Sequence, residues 1–229
     1  MSLEVSRYVI ILPIFGRSGE TLKGKRLLVN GLYGAVDVVD EKTASNLEKG
    51  RTDEIDGEEI KRVSKKAGAE IIDRPAELAD DYATTAAVMK HAVQYLIDKG
   101  VDFDFVVLLQ ATNPLRPKKL LDDAIKIIEK GENDSLFTVN KSEKKLGKII
   151  DGKFVPWNYK FGQRSQDLDP LYYENGLLYI TSKELLLQEV IEGPKAYPMV
   201  VDHPYGEVDI DTVDDFHYAE FMLNQYRDE

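Results

Sequence analysis

The sequence predicts an α/β fold: a mostly parallel sheet covered on both faces, in three layers. Two observations carry this. Short runs rich in Val, Ile and Leu alternate with helix-period segments along most of the 229 residues. The run Tyr8-Val-Ile-Ile-Leu12 is β-branched, short and nearly unbroken, which suits a strand buried on both faces. At 43% hydrophobic residues the chain can bury a core, and its length fits one domain with a small excursion.

The elements follow in order. Tyr8-Val-Ile-Ile-Leu12 is short and β-branched and reads as a buried strand; Pro13 to Gly24 reads as a loop. From Leu27 to Gly50 the pattern is weak, with Val36–Val39 as a strand and Asp40–Lys49 as a short helix. Gly57–Ala67 is a helix, with Ile60 and Val63 on one face and Gly68 past its end. Glu70–Asp73 is a strand, and Thr84–Lys99 a helix stopped at Gly100. Phe103–Leu109 is the central strand, Pro117–Lys130 a helix with Pro in its first turn, and Ser135–Val139 a strand. Residues 141–170 are polar and lack long periodic runs. There Asp151-Gly152 makes a hairpin turn between Ile149-Ile150 and Phe154-Val155, so the segment is an excursion from the sheet. Strand Gly176–Ile180, helix Ser182–Ile191, strand Tyr197–Val201 and helix Val213–Arg227 complete the fold. Parallel sheets bind ligands at the carboxyl ends of their strands, which directs attention to the loops after Leu12, Asp73, Leu109 and Ile180.

Composition excludes several functions. The formal net charge is −11, from 30 Lys and Arg against 41 Asp and Glu, which argues against a nucleic-acid partner. With no Cys, thiolate zinc sites, disulfides and Cys nucleophiles are ruled out, and His91, His203 and His217 are too scattered for a zinc site. No apolar run reaches the ~18 residues of a membrane span, and no signal peptide is seen. A soluble cytoplasmic protein with no membrane partner is expected.

Four clusters can carry chemistry. In Leu108-Leu-Gln-Ala-Thr-Asn-Pro-Leu-Arg116, a buried strand ends in Gln110 and Thr112; these can hydrogen-bond a polar ligand, and Arg116 can fork onto an anion. In Arg74-Pro-Ala-Glu-Leu-Ala-Asp-Asp81, followed by Thr84-Thr85, a guanidinium and a helix start can read a base carbonyl or a phosphate. The run Glu207-Val-Asp-Ile-Asp-Thr-Val-Asp-Asp215 holds Asp209 and Asp211 two apart, hence on one face if extended. Like charges so placed call for a cation, and Mg²⁺ with a phosphate ligand is the natural occupant. Finally, Arg164, Gln166, Tyr172 and Asn175 combine a cation, amides and an aromatic platform, the mixture a polyhydroxylated acid sugar requires. Each cluster also has a plain structural reading: a turn, a surface ion pair, a helix cap or a polar loop.

The order and wording of these clusters resemble the CMP-sialic acid synthetases, the acylneuraminate cytidylyltransferases. The matching pieces are Arg74-Pro-Ala-Glu-Leu-Ala with Asp81, Leu108 through Arg116, Gln166-Asp-Leu with Glu174-Asn-Gly176, and Asp209-Ile-Asp-Thr with Asp215-Phe216. The resemblance implies a nucleotide-diphosphosugar transferase (Rossmann-like) fold. It implies the reaction of CTP with a nonulosonic acid to give a CMP-sugar and pyrophosphate, with Mg²⁺. By position, Arg74 and Thr85 would recognise cytosine. Gln110, Thr112, Asn113, Gln166 and Tyr172 would line the sugar pocket, together with Arg164 and Asn175. Asp209 and Asp211 would hold metal, and Asp209 would also assist deprotonation of the sugar hydroxyl. The excursion over 141–170 matches the arm by which the family dimerises, and it would lend Arg164 and Gln166 to a neighbour's site. The N-terminal loop departs from the family pattern P-A-R-G-G-S-K. Pro13, Gly16 and Ser18 keep their places, but Phe15 stands at the usual Arg and Gly19 at the usual Lys. Arg17, Ser18, Lys23 and Lys25 are the candidates to contact phosphate, with Arg17 and Lys25 as catalytic cations. Two alternatives remain open: another acid sugar (legionaminic, pseudaminic or 3-deoxy-octulosonic acid), or a nucleotide-binding relative without turnover.

Overall fold

The computed structural model describes residues 8–12, 27–32, 62, 64–66, 69–78 and 83–226. Among them, seven strands form one sheet: β1 (Tyr8–Leu12), β2 (Leu27–Leu32), β3 (Glu70–Asp73), β4 (Phe105–Leu109), β5 (Ser135–Ser142), β8 (Leu171–Ser182) and β9 (Ala196–Val200). β6 (Gly147–Ile150) and β7 (Lys153–Pro156) pair separately as a hairpin. The sheet order is β3-β1-β2-β4-β8-β5-β9. β2, β3, β4, β5 and β9 share one direction, the mostly parallel arrangement that the alternation predicts; β1 and β8 run against them. Their reversal makes the sheet mixed, with parallel pairing for β2–β4 and β5–β9 and antiparallel pairing elsewhere.

Helices α1 (Thr85–Asp98), α2 (Leu120–Ile128), α3 (Lys183–Leu186) and α4 (Val213–Tyr226) are described in full. The alternation of β4 divides the core between two of them. Val106 and Leu108 join Val88, Met89, Ala92, Val93 and Leu96 of α1 on one face. Phe105 and Val107 join Leu120, Ala124 and Ile128 of α2 on the other. Each fully buried side chain contributes about 1.5–3 kcal/mol, so both faces are bound to the sheet by their own apolar layer. A third cluster sets Ala219 and Met222 of α4 against Tyr205 and Val208.

The ends of the elements follow local chemistry. The Thr84 hydroxyl caps α1 by accepting from Ala87 N at 3.2 Å, and the chain leaves the helix through Gly100 at φ 72°. Pro117 begins a turn in which Leu120 N donates to Pro117 O, so α2 starts three residues later than the Pro suggests. The largest correction is at Ser182–Ile191, expected to be a helix, where only the single turn α3 forms. Glu189 takes φ 60°, and the Thr181 hydroxyl donates to Ile191 O at 2.7 Å, folding the chain back onto β8. β2 forms where the sequence pattern is weak. Arg62, Ser64, Lys65 and Lys66 of the helix expected over Gly57–Ala67 are helical. The elements expected at Val36–Val39 and Asp40–Lys49 lie outside the described residues.

The excursion leaves the sheet between β5 and β8. Asp151 and Gly152, at φ 49° and 73°, make the two-residue turn that the sequence predicts. No helix among the described residues is long and apolar enough to cross a membrane.

Candidate active site

A cleft of about 310 Å³ opens at the carboxyl end of β4. The reversal of β8 builds it. Because β8 is antiparallel to β4 and β5, its first half lies beside the carboxyl ends of those strands. The loop after Ile180 is therefore at the opposite edge, and so is the end of β1 at Leu12, because β1 also runs against β4. The residues brought to the cleft come from the start of β8: Tyr173, Glu174, Asn175 and Gly176.

A wide bulge shapes that stretch. β8 pairs with β5 at Glu174↔Val139 and again at Tyr179↔Phe137, so Asn175 to Leu178 face Thr138 alone. Thr138 is completely buried, and its hydroxyl holds the bulge: it bonds Asn175 Oδ1 at 2.6 Å and accepts from Leu178 N at 3.1 Å. Gly176 sits in the bulge at φ 71°, where a Cβ would run into Gln110 Oε1 and Asn113 Oδ1. Glycine is thus required twice, for the left-handed backbone and for the close approach of both amides.

Gln110 and Asn113 follow β4 and line the cleft. Asn113 is buried, and its Nδ2 donates to Val208 O at 2.9 Å. Next to it, Ile210 N donates to Thr112 O at 2.7 Å. These two bonds clamp the residues flanking Asp209, whose carboxylate reaches the cleft. Arg116, a candidate anion fork, is used otherwise. Its Nε donates to Leu177 O and its Nη2 to Gln110 O, both at 2.8 Å, tying the bulge to the end of β4. Arg116→Lys cannot supply this planar fork. It is expected to cost about 2 kcal/mol, which thermal melting reads as a drop of roughly 4–8 °C.

The cleft is acidic. Glu174, Glu207 and Asp209 line it with one ammonium, that of Lys144. Burial, then the charge of Glu174, pushes the Tyr179 phenol far above its usual range, with Asp209 adding to the effect. The phenol therefore stays protonated and donates to Glu174 Oε2 at 3.3 Å. Burial, then its bond to Glu207, raises Tyr173 as well.

The remaining sequence candidates fall elsewhere. Tyr172 is half exposed and outside the cleft lining; its neighbour Tyr173 takes that place, because the two point to opposite faces of β8. Arg164 is exposed and forks onto Asp167 at 2.8 Å, and Gln166 is exposed in the same turn, so within one chain neither reaches the cleft. Thr112 acts through its backbone. Asp211 does not share the cleft with Asp209. Its N–H and that of Thr212 donate to Asp215 at 3.2 and 2.8 Å, in a capping box that turns the chain into α4. Arg74 is buried just after β3, and Thr85 opens α1. Both stand at the same edge of the sheet as the cleft without lining it. Arg17, Ser18, Lys23 and Lys25 lie outside the described residues. Sequence reasoning missed Tyr173, Tyr179, Glu207 and Lys144. Alternation along β8 would have favoured Tyr173 over Tyr172, but nothing local marks the others.

A polar cleft outside the carboxyl ends of the central strands is where open α/β sheets bind their ligands. The comparisons with known proteins narrow this. A family model described as Cytidylyltransferase matches residues 54–227. The chain is 32% identical over 175 residues to a pseudaminic acid cytidylyltransferase of Campylobacter jejuni, covering 73% of this chain and 75% of that one. It is 30% identical over 169 residues to an N-acylneuraminate cytidylyltransferase of Streptococcus agalactiae, covering 70% of this chain and 39% of that one. Among solved structures, the 4-diphosphocytidyl-2C-methyl-D-erythritol synthase of Anaerococcus prevotii gives a TM-score of 0.42 at 16% identity over 62% of this chain and 64% of that one, too partial a likeness to build on. The chain belongs to the cytidylyltransferase family and is a nucleotidyltransferase.

Proposed function

We propose that the chain transfers the cytidylyl group of CTP to a nonulosonic acid, releasing pyrophosphate. One observation carries this reading: Gln110, Asn113, Asn175 and Asp209, from three separate sequence motifs, converge on one cleft. The relatives named for pseudaminic acid and for N-acylneuraminate support the substrate at the level of the nine-carbon acid sugars.

In this mechanism the anomeric hydroxyl of the sugar attacks the α-phosphorus of CTP in line, and pyrophosphate leaves from the opposite side. Gln110, Asn113 and Asn175 orient the sugar through neutral hydrogen bonds, and Asp209 accepts the proton of the attacking hydroxyl. Arg74 and Thr85, at the same edge of the sheet as the cleft, read cytosine. Asp209 is the residue that would hold Mg²⁺: it lines the cleft and has no ion-pair partner among the described residues, whereas Asp211 stands outside the lining. An Mg²⁺ site needs only one or two carboxylates beside substrate phosphates. When bound there, the metal supplies charge neutralisation at the phosphates. The arm presents Ile149, Trp157 and Phe161 to solvent, 63–72% exposed, which supports a homodimer joined through it and a role for Arg164 and Gln166 in the partner's cleft.

The test is turnover of CTP and Mg²⁺ with a panel of nonulosonic acids, products read by mass. A CMP-sugar and pyrophosphate are expected from at least one acid. Folded protein that turns over none of them overturns the reading. Phe15 and Gly19, in place of the family's Arg and Lys, favour one second reading, nucleotide binding without turnover; calorimetric CTP binding with no product would establish it.

A further inference from the structure

Glu207 ends a 3-10 turn, Pro204–Glu207, that approaches β5 closely because residue 206 is glycine: a Cβ there would overlap the amide of Asn140. The approach delivers the Glu207 carboxylate to the cleft. One of its oxygens is fully used. Oε1 accepts from Tyr173 OH at 2.6 Å and from Asn140 Nδ2 at 2.9 Å. Oε2 has no protein donor among the described residues. The donors that hold Oε1 are themselves fixed. Asn140 is buried, and its Oδ1 accepts from Asn175 Nδ2 at 2.8 Å; Asn175 in turn is held by the buried Thr138 hydroxyl. A chain of buried amides thus runs from the β8 bulge to one carboxylate oxygen and leaves the other as a directed acceptor at the cleft. Glu207 itself is exposed, so its second oxygen is open to a ligand, while the amides and hydroxyl behind its first oxygen are buried and fixed.

We propose that Glu207 is a specificity-determining residue, reading an O–H or N–H donor of the acid sugar through its open oxygen. Tyr173 and Asn140 are positioning residues that aim it. The inference rests on the acid-sugar reading of the cleft. It follows that sugars with a donor at that position are accepted and those lacking it are rejected, because the aimed acceptor would be buried unmatched.

Glu207→Gln is a sharp test. The amide oxygen of Gln keeps both donors, Tyr173 and Asn140, so the NH₂ group takes the place of the open oxygen. The network survives while the group facing the sugar changes from acceptor to donor. For the best sugar, kcat/KM should fall about 10- to 100-fold through the sugar KM, with the KM for CTP unchanged. A set of sugars each lacking one hydroxyl or acylamino group then locates the partner. On one of them wild type should lose a similar factor and Glu207→Gln almost nothing more. Tyr173→Phe should raise the sugar KM by a smaller factor and leave the KM for CTP alone, which a general loss of structure would not do. If wild type turns over sugars but Glu207→Gln keeps its sugar KM, or no analogue penalty is relieved, the inference is overturned while the acid-sugar reading stands. If wild type turns over none, both fall.

Discussion

Asp209→Asn is expected to lower kcat about 100- to 1000-fold while leaving the fold intact. Two bonds fix the backbone on either side of Asp209, from Asn113 Nδ2 to Val208 O and from Ile210 N to Thr112 O, and neither involves its carboxylate. The side chain is exposed at the cleft, so an isosteric amide should change stability by no more than about 0.5 kcal/mol. What it removes is a proton acceptor and a negative charge. If Asp209 both takes the sugar proton and helps to hold Mg²⁺, the loss is of the size seen when one preorganised electrostatic group is deleted. Steady-state kinetics at several Mg²⁺ concentrations would check it. A role in holding metal predicts that more Mg²⁺ restores part of the rate, whereas a role confined to proton transfer predicts a fixed deficit. Wild-type kcat in the variant would remove Asp209 from the mechanism.

Gly176→Ala should have the largest effect on stability. The residue sits at φ 71°, where an L-residue is strained by about 1–2 kcal/mol, and its Cβ would overlap Gln110 and Asn113. The sum, about 2–4 kcal/mol, corresponds to a fall in Tm of roughly 5–15 °C. Gly152 provides the control. It has φ 73°, but an added Cβ would meet nothing within 4 Å, so Gly152→Ala should show the backbone cost alone. The difference between the two melts measures how tightly the Gln110 and Asn113 amides are packed against the bulge. Equal melts would mean that the cleft relaxes around the extra methyl, and that its geometry is looser than the close approach implies.

Much of the fold is legible locally. Runs such as Phe105–Leu109, the Thr84 cap, the Gly100 stop and the Asp151-Gly152 turn each encode their structure within a few residues, because backbone sterics and hydrogen bonding act at that range. The helix expected over Ser182–Ile191 stops after one turn because a hydroxyl from another element, Thr181 of β8, captures the carbonyl of Ile191, and helical periodicity contains no sign of that. The site is partly legible in the same way. Gln110, Asn113, Asn175 and Asp209 stand out in their motifs and meet in the cleft. Tyr173 and Tyr172 differ by one position, and only the facing of β8 decides between them.

The sequence by itself determined the class of fold, the absence of thiol chemistry and the polar residues from which the cleft is built, because these depend on residue type and short-range periodicity. Tertiary structure alone decided the direction of β8. That reversal brings Tyr173 to Gly176 beside the carboxyl end of β4 and directs Arg116 onto backbone carbonyls rather than a ligand. Strand direction and cross-strand register are set by which long-range pairing buries the most apolar surface with every amide matched, a sum over the whole sheet that no local stretch of sequence contains.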